Sequence, residues 1–250
     1  MKNLCKAIAS LLLVGVLSIG AAAETAAARF DRNIESRVSQ ELTKKKDFRN
    51  LQASVEDGIV TLTGTVDVYQ QKLDAAKKIR KMDKVQGVRN LIEVSSTMPD
   101  DVLAAKIDRK LYYDRIGYEN LFNYVTVSVK DGVATLIGEV QNPVARDSAV
   151  SLVNQMPGVK EVVDNVKVAP TSIYDDQIRL RAARAIYGDS VLNGYAADPA
   201  LPIRIVVDNG KLTLYGTVNS KMEKQVAGMR AGEVFGVFKV QNNLVVAKQS

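Results

Sequence analysis

The chain has 250 residues, 46% of them hydrophobic and 25% charged, with a formal net charge of +6, the composition of a folded globular protein. It contains no His, no Trp and a single Cys. That excludes imidazole acid–base chemistry, Ser-His-Asp and Cys-His nucleophiles, thiolate or His-bearing zinc sites, and a disulfide framework. The first element in chain order is an address. Lys2 and Lys6 give a positive start, Ala7 to Gly20 is apolar, and Ala21-Ala22-Ala23 offers a small-residue cleavage site before Glu24. Residues 1–23 are therefore predicted to be a secretory signal peptide, the apolar run being short of the roughly 20 residues of a membrane span. Cys5 precedes the apolar core, whereas a lipid-modified Cys would follow it. Removal of this segment takes away the Cys, Lys2 and Lys6, leaving 32 basic against 28 acidic side chains. The signal resembles a bacterial one, which makes the periplasm the expected destination.

Three segments then superimpose without a gap: Val55 to Val66, Val129 to Val140 and Val207 to Val218. Each carries a turn dipeptide (Asp57-Gly58, Asp131-Gly132, Asn209-Gly210) and a second glycine six positions on (Gly64, Gly138, Gly216). Such dipeptides favour two-residue hairpin turns with positive φ at both central residues. Around them apolar residues alternate with period two: Leu51, Ala53, Val55, Val60 and Leu62 in the first copy, and Ile203, Ile205, Val207, Leu212 and Leu214 in the third. Thr61, Thr63, Thr135, Thr213 and Tyr215 face the other way, so one sheet face is predicted to be apolar. The second glycines are read as bulges, or as a close approach of backbone to the following helix.

A helix is predicted before and after each hairpin. The earlier ones carry Ile34, Val38 and Leu42; Val102, Ile107 and Leu111; and Ile178, Ala182, Ala185 and Ile186. The later ones carry Leu73, Ala76, Ile79 and Met82 in copy one and Val150, Val153 and Met156 in copy two, at helical spacing. Pro143 sits in the first turn of the latter, where its missing N–H is harmless. A last strand such as Val162 to Val168 closes each unit. The predicted fold class is α+β: three tandem αββαβ domains at 31–97, 100–169 and 174–247, each a small three-stranded sheet packed on one face by two helices. A repeat at this period is a strong architectural signal.

An αββαβ unit with V-x-[DN]-G-x-[VAL]-x-L-x-G-x-V, a helix and then [GK]-V-x-x-V-x-[DN] resembles the BON domain. Three copies behind a signal peptide resemble the osmotically inducible, periplasmic BON-repeat proteins. The resemblance implies association with phospholipid membranes, envelope-stress protection and, in some members, a chaperone-like role. Copy one departs from the pattern, with Lys84 where the others have Gly158 and Gly236, and Leu91 where they have Asn165 and Asn243. Its helix ending and last strand are accordingly expected to be the least regular.

The motif residues themselves read as turns and core, so they indicate no catalytic residue, no cofactor and no metal site. Asp100-Asp101 and Asp175-Asp176 precede helices, where carboxylates cap free N–H groups. No segment has the acidic spacing of a calcium loop. The chain is therefore read as non-enzymatic. Lys77, Lys81 and Lys84, flanked by Lys78, recur along one helical face, and Arg181 and Arg184 recur with Arg179 nearby. These seven are the candidate lipid-surface residues, each cluster also being readable as a solvated helix face. Tyr112, Tyr113, Tyr118 and Tyr124, with Phe122 among them, are the candidate interface residues, suited to a membrane boundary or to packing between copies. The expected partner is an anionic phospholipid surface; the alternative is a chaperone or adaptor that binds unfolded or outer-membrane client proteins. Export and a modest net charge argue against nucleic acid.

Overall fold

The computed structural model describes residues 26–95, 98–113 and 120–247. The predicted signal peptide and Tyr118 lie outside the described residues. Copy one consists of α1 (Ala26–Thr43), β1 (Leu51–Glu56), β2 (Ile59–Val66), α2 (Tyr69–Arg80), β3 (Gly87–Asn90) and β4 (Glu93–Val94). Copy two consists of α3 (Asp100–Tyr113), β5 (Tyr124–Lys130), β6 (Val133–Val140), α4 (Pro143–Asn154) and β7 (Glu161–Val168). Copy three consists of α5 (Ile173–Tyr187), β8 (Ile203–Asp208), β9 (Lys211–Val218), α6 (Lys221–Gly232), β10 (Lys239–Asn242) and β11 (Val245–Val246). In each copy the hairpin is antiparallel, and its second strand is central because the last strand adds to it in parallel. The class is the α+β expected from the repeat.

In copies one and three the last strand is interrupted, and the parallel pairing then resumes in register. The side chain of Asn90 accepts a hydrogen bond from the Ile92 N–H, and Asn242 does the same for Leu244. The same local bond recurs in copy two, where the Asp164 carboxylate accepts from the Val166 N–H while β7 stays unbroken, and Ile92, Val166 and Leu244 all turn into the core. The irregularity expected of copy one alone is thus shared with copy three. Lys84 takes positive φ, as Gly158 and Gly236 do at the same place, and Leu91 is exposed.

All three turn dipeptides have positive φ at both residues, between 48° and 80°. The second glycines make a close backbone approach, but to the start of the first hairpin strand rather than to the following helix. A Cβ on Gly64, Gly138 or Gly216 would lie 2.1, 2.0 or 1.9 Å from the carbonyl oxygen of Asn50, Tyr124 or Pro202.

Three corrections concern the helix faces. Leu103, not Val102, is buried beside Ile107 and Leu111; Ala75, not Leu73, is buried beside Ala76 and Ile79. Met82 and Met156 lie beyond the ends of α2 and α4 and reach their cores from the following turn. Each side chain on a helix leans toward the N-terminal turn, which shifts the buried stripe. Pro143 is at the start of α4, capped by Asn142, whose side chain accepts from the Ala145 N–H at 2.9 Å.

Each copy has its own core, and the copies also touch. Tyr69 of copy one packs against the cores of copies one and two. Leu121 and Phe122 of copy two pack against the core of copy three. The outer sheet face of copy three is therefore covered, contrary to the expectation of one apolar face: Arg204, Val206 and Thr213 are buried there.

Candidate functional site

The acidic pairs are structural, though not as simple caps. The Asp100 carboxylate accepts from the backbone N–H groups of Asp131 and Gly132, at 2.6 and 2.9 Å. Asp175 accepts from Asn209 and Gly210 at 3.0 and 2.8 Å, and Asp31 from Asp57 and Gly58, both at 2.9 Å. One carboxylate per copy thus fastens the first helix to the hairpin turn with two charge-assisted bonds. Ser172, rather than Asp175, caps α5, accepting from the Asp175 N–H at 3.2 Å.

This fastening fixes one pole of each unit, where the hairpin turn, the start of the first helix and the loop after the second helix meet. Gln86, Lys160 and Phe238 occupy the same place, each donating its N–H to the carbonyl of the turn glycine. Copy one shows Asp83 and Gln86 at this loop, copy two Pro157 and Lys160, and copy three Phe235 and Phe238. Phe235 is 84% exposed and Phe238 74%. Ile173 and Tyr174, at the start of α5 on the same pole, are 73% and 81% exposed. Four large apolar side chains thus stand in water together.

The pole is also cationic. The Arg181 guanidinium donates to the Phe235 carbonyl at 3.3 Å and lies over its ring, 5.7 Å from the centroid. Lys211 and Lys239 face each other across the β9–β10 ladder beside Phe238, with Asp208 opposite Lys211 on β8. Apolar rings rimmed by ammonium and guanidinium groups suit an anionic interface.

The remaining candidate residues are dispersed. Lys77 lies on α2, Lys81 follows its last residue, and Lys84 is in the next turn over the Phe30 ring, 5.5 Å from the centroid. The continuous helical face expected of Lys77, Lys81 and Lys84 therefore does not form, because α2 ends at Arg80. Lys78 pairs with Glu41 at 2.8 Å; Lys44 and Lys78 together hold the Glu41 carboxyl down at about 2. Arg179 is buried, donating to the Val207 carbonyl and to Asp176, so it belongs to the framework of copy three. Arg184 is exposed on α5.

The tyrosines cluster at the junction of copies two and three. Tyr124 stacks on Tyr215 with centroids 4.0 Å apart and planes 3° from parallel. The Tyr112 hydroxyl donates to Asp198 at 3.3 Å, and the Arg204 guanidinium lies 5.2 Å from the Tyr112 ring centroid. Burial, and then Asp198 beside it, push the Tyr112 hydroxyl up to about 12. Tyr113 meets Tyr112 edge-on at 4.8 Å and remains half exposed. Beneath these rings is an open cleft of about 580 Å³ that Arg109, Asn123, Arg204 and Asn243 help to line. Sequence reasoning missed the pole and the cleft. The signals were aromatic residues at 235 and 238 where the other copies have Asp83 and Gln86 or Pro157 and Lys160, and Val206 where they have Ser54 and Ser128. Among the described residues no acidic, Cys or His cluster could hold a metal ion, and no helix is long and apolar enough to cross a membrane.

The architecture defines a class: a tandem protein of αββαβ units fastened turn-to-helix by one carboxylate each. The BON domain model matches residues 30–96, 99–170 and 183–248, and the chain belongs to the BON domain family. Over 147 residues the chain is 26% identical to osmotically-inducible protein Y of Escherichia coli (strain K12), covering 55% of this chain and 72% of that one. It is 25% identical over 143 residues to an uncharacterized protein of Anaplasma centrale, covering 55% of this chain and 94% of the other. Among solved structures it is similar to CdsD of the Chlamydia trachomatis type III secretion system, at 15% identity and a TM-score of 0.26, covering 88% of this chain and 94% of that one.

Proposed function

We propose that this chain is a non-enzymatic, periplasmic BON-repeat protein of the osmotic stress response that docks on anionic phospholipid. The observation that carries the reading is the pole of copy three, where Phe235, Phe238, Ile173 and Tyr174 are exposed beside Arg181, Lys211 and Lys239. Kinship with an osmotically inducible protein supports the stress assignment, and the signal-like N-terminus supports the compartment. Basic groups bring the pole to an anionic surface, at about 1 kcal/mol each, and the rings then enter the headgroup boundary.

Flotation of the mature chain with anionic and neutral liposomes over a salt series tests this. Binding is expected to prefer anionic lipid and to weaken with salt without vanishing, since the aromatic contribution is not screened. Failure to float with either liposome overturns the proposal. Suppression of aggregation of an unfolded client by the same non-floating sample would then place the function in client binding.

A further inference from the structure

We propose that the cleft between copies two and three binds a small phosphate ester, with Arg204 as its principal anchor. Arg204 is only 6% exposed, yet its Nη1 has no hydrogen-bond partner, and the residue lines the cleft. A buried guanidinium nitrogen without an acceptor is costly. The Tyr112 face offsets part of that cost by its ring electrons but supplies no oxygen acceptor. Asp198 is engaged by the Tyr112 hydroxyl, and no ion pair joins it to Arg204 among the described residues. Burial weakens the hold of the Arg204 guanidinium on its proton, opposed by Tyr112, Tyr187 and Asp198 nearby, and an incoming anion would act in the same sense as these three.

The rest of the lining fits the same ligand class. Arg109 is a second guanidinium at the cleft, and Asp108 the one carboxylate among the lining residues, so the wall carries a net positive charge. Asp108 is also occupied, accepting from the Val127 N–H and the Thr126 hydroxyl, each at 3.3 Å. Asn123, Asn243 and Thr217 add amide and hydroxyl groups suited to a glycerol-like body, and the tyrosine rings supply an apolar wall. About 580 Å³ is room for a small ligand and not for a folded partner. Guanidinium groups match phosphate oxygens in a planar, bidentate geometry. The ligand chemistry is shared by a soluble glycerol phosphate and by a phospholipid headgroup.

The site stands apart from the aromatic pole, so its test is independent of the membrane reading. The full mature chain is titrated at constant ionic strength with glycerol 3-phosphate, with a monomeric short-chain phosphatidylglycerol and with uncharged glycerol, following backbone amide NMR shifts. Saturable shifts at Asn123, Thr217 and Asn243 with either phosphate probe, and none with glycerol, are the expected result. Binding of both phosphate probes identifies the shared headgroup chemistry, whereas binding of the lipid probe alone adds a requirement for acyl chains. Arg204→Gln should weaken binding at least tenfold, and Arg204→Lys less. If Arg204→Gln does not fold, Thr217→Trp, which leaves Arg204 in place and puts an indole into the cleft lining, should abolish the shifts at Asn123 and Asn243. Phe235→Ser/Phe238→Gln should retain them. Shifts spread over the surface lysines, or none with either phosphate probe, would overturn the proposal.

Discussion

Replacing the two aromatic residues of the copy-three pole tests the membrane reading most directly. Gln86 already occupies the place of Phe238 in copy one, and Phe235 is 84% exposed, so Phe235→Ser/Phe238→Gln removes little that the scaffold uses. Burying a Phe side chain fully contributes about 1.5–3 kcal/mol. Phe235 and Phe238 present 84% and 74% of their surface to water, so nearly all of that contribution is unspent in the free protein. Two rings entering an interface, not a core, should supply about 2 kcal/mol, or roughly a 30-fold loss of partitioning when removed. Thermal unfolding should barely change, because exposed substitutions usually cost within about 0.5 kcal/mol. The assay is co-sedimentation with phosphatidylglycerol-containing vesicles at several lipid concentrations, with circular dichroism on each variant. A folded double variant that binds within about threefold of the parent would refute the reasoning. Such a result would leave the basic residues as a diffuse electrostatic attraction.

Lys77→Glu/Lys81→Glu, on copy one and remote from that pole, should lose less vesicle binding than the Phe pair, and its deficit should disappear at high salt; an equal, salt-independent loss would move the docking surface to copy one. Gly216→Ala should sharply lower the melting temperature of copy three, because its Cβ would stand 1.9 Å from the Pro202 carbonyl oxygen, whereas Gly194→Ala, with nothing within 4 Å, should be neutral in the same melting experiment. Asp175→Ala should cost about 2–4 kcal/mol in urea unfolding, since it leaves the N–H groups of Asn209 and Gly210 without their charged acceptor. Asp189 is held below the usual carboxylate range by the Val191 N–H and then by Arg230; its contribution is present above the unfolded carboxylate value and is lost as pH falls through the depressed folded value, so wild type and Asp189→Asn should converge in acid melts.

What was legible in the sequence is what is local. The turn dipeptides declare their own φ values, and alternation around them assigns the inward face without reference to the rest of the chain. The first-helix cores at Ile34, Val38 and Leu42 follow from spacing in the same way. The carboxylate clamps were not legible as clamps, because Asp31, Asp100 and Asp175 reach their turns across loops of three different lengths. An ungapped register anchored on the hairpin therefore does not align them. The helical face drawn through Lys77, Lys81 and Lys84 failed for a related reason: periodicity continued past Arg80, while the chain turned through the positive φ of Lys84. Arg179 looked like a surface charge because its neighbours Arg181 and Arg184 are exposed, yet it is buried beneath β8, holding the Val207 carbonyl.

The three copies share a backbone but use their free surfaces differently, and this is where function separates from fold. An αββαβ unit needs only one sheet face for its own core, which leaves the opposite face and the pole unconstrained by folding. In copy three both have changed. Val206 and Tyr215 replace Ser54 and Thr63 of copy one, turning the outer face into a seat for Phe122 and Tyr124 of copy two. Phe235 and Phe238 replace Asp83 and Gln86, turning the pole apolar. Neither change improves the core of copy three, which Ile203, Ile205, Val207, Leu212 and Leu214 already fill. Large apolar side chains held in water on a well-clamped turn have no folding reason to be there. The seat joins copies two and three while forming the Arg204 cleft, and the pole lies at the opposite, turn end of the same β8–β9 hairpin. One hairpin, carried in register by three repeats, thereby bears the contact with copy two at one end and the exposed aromatic pole at the other.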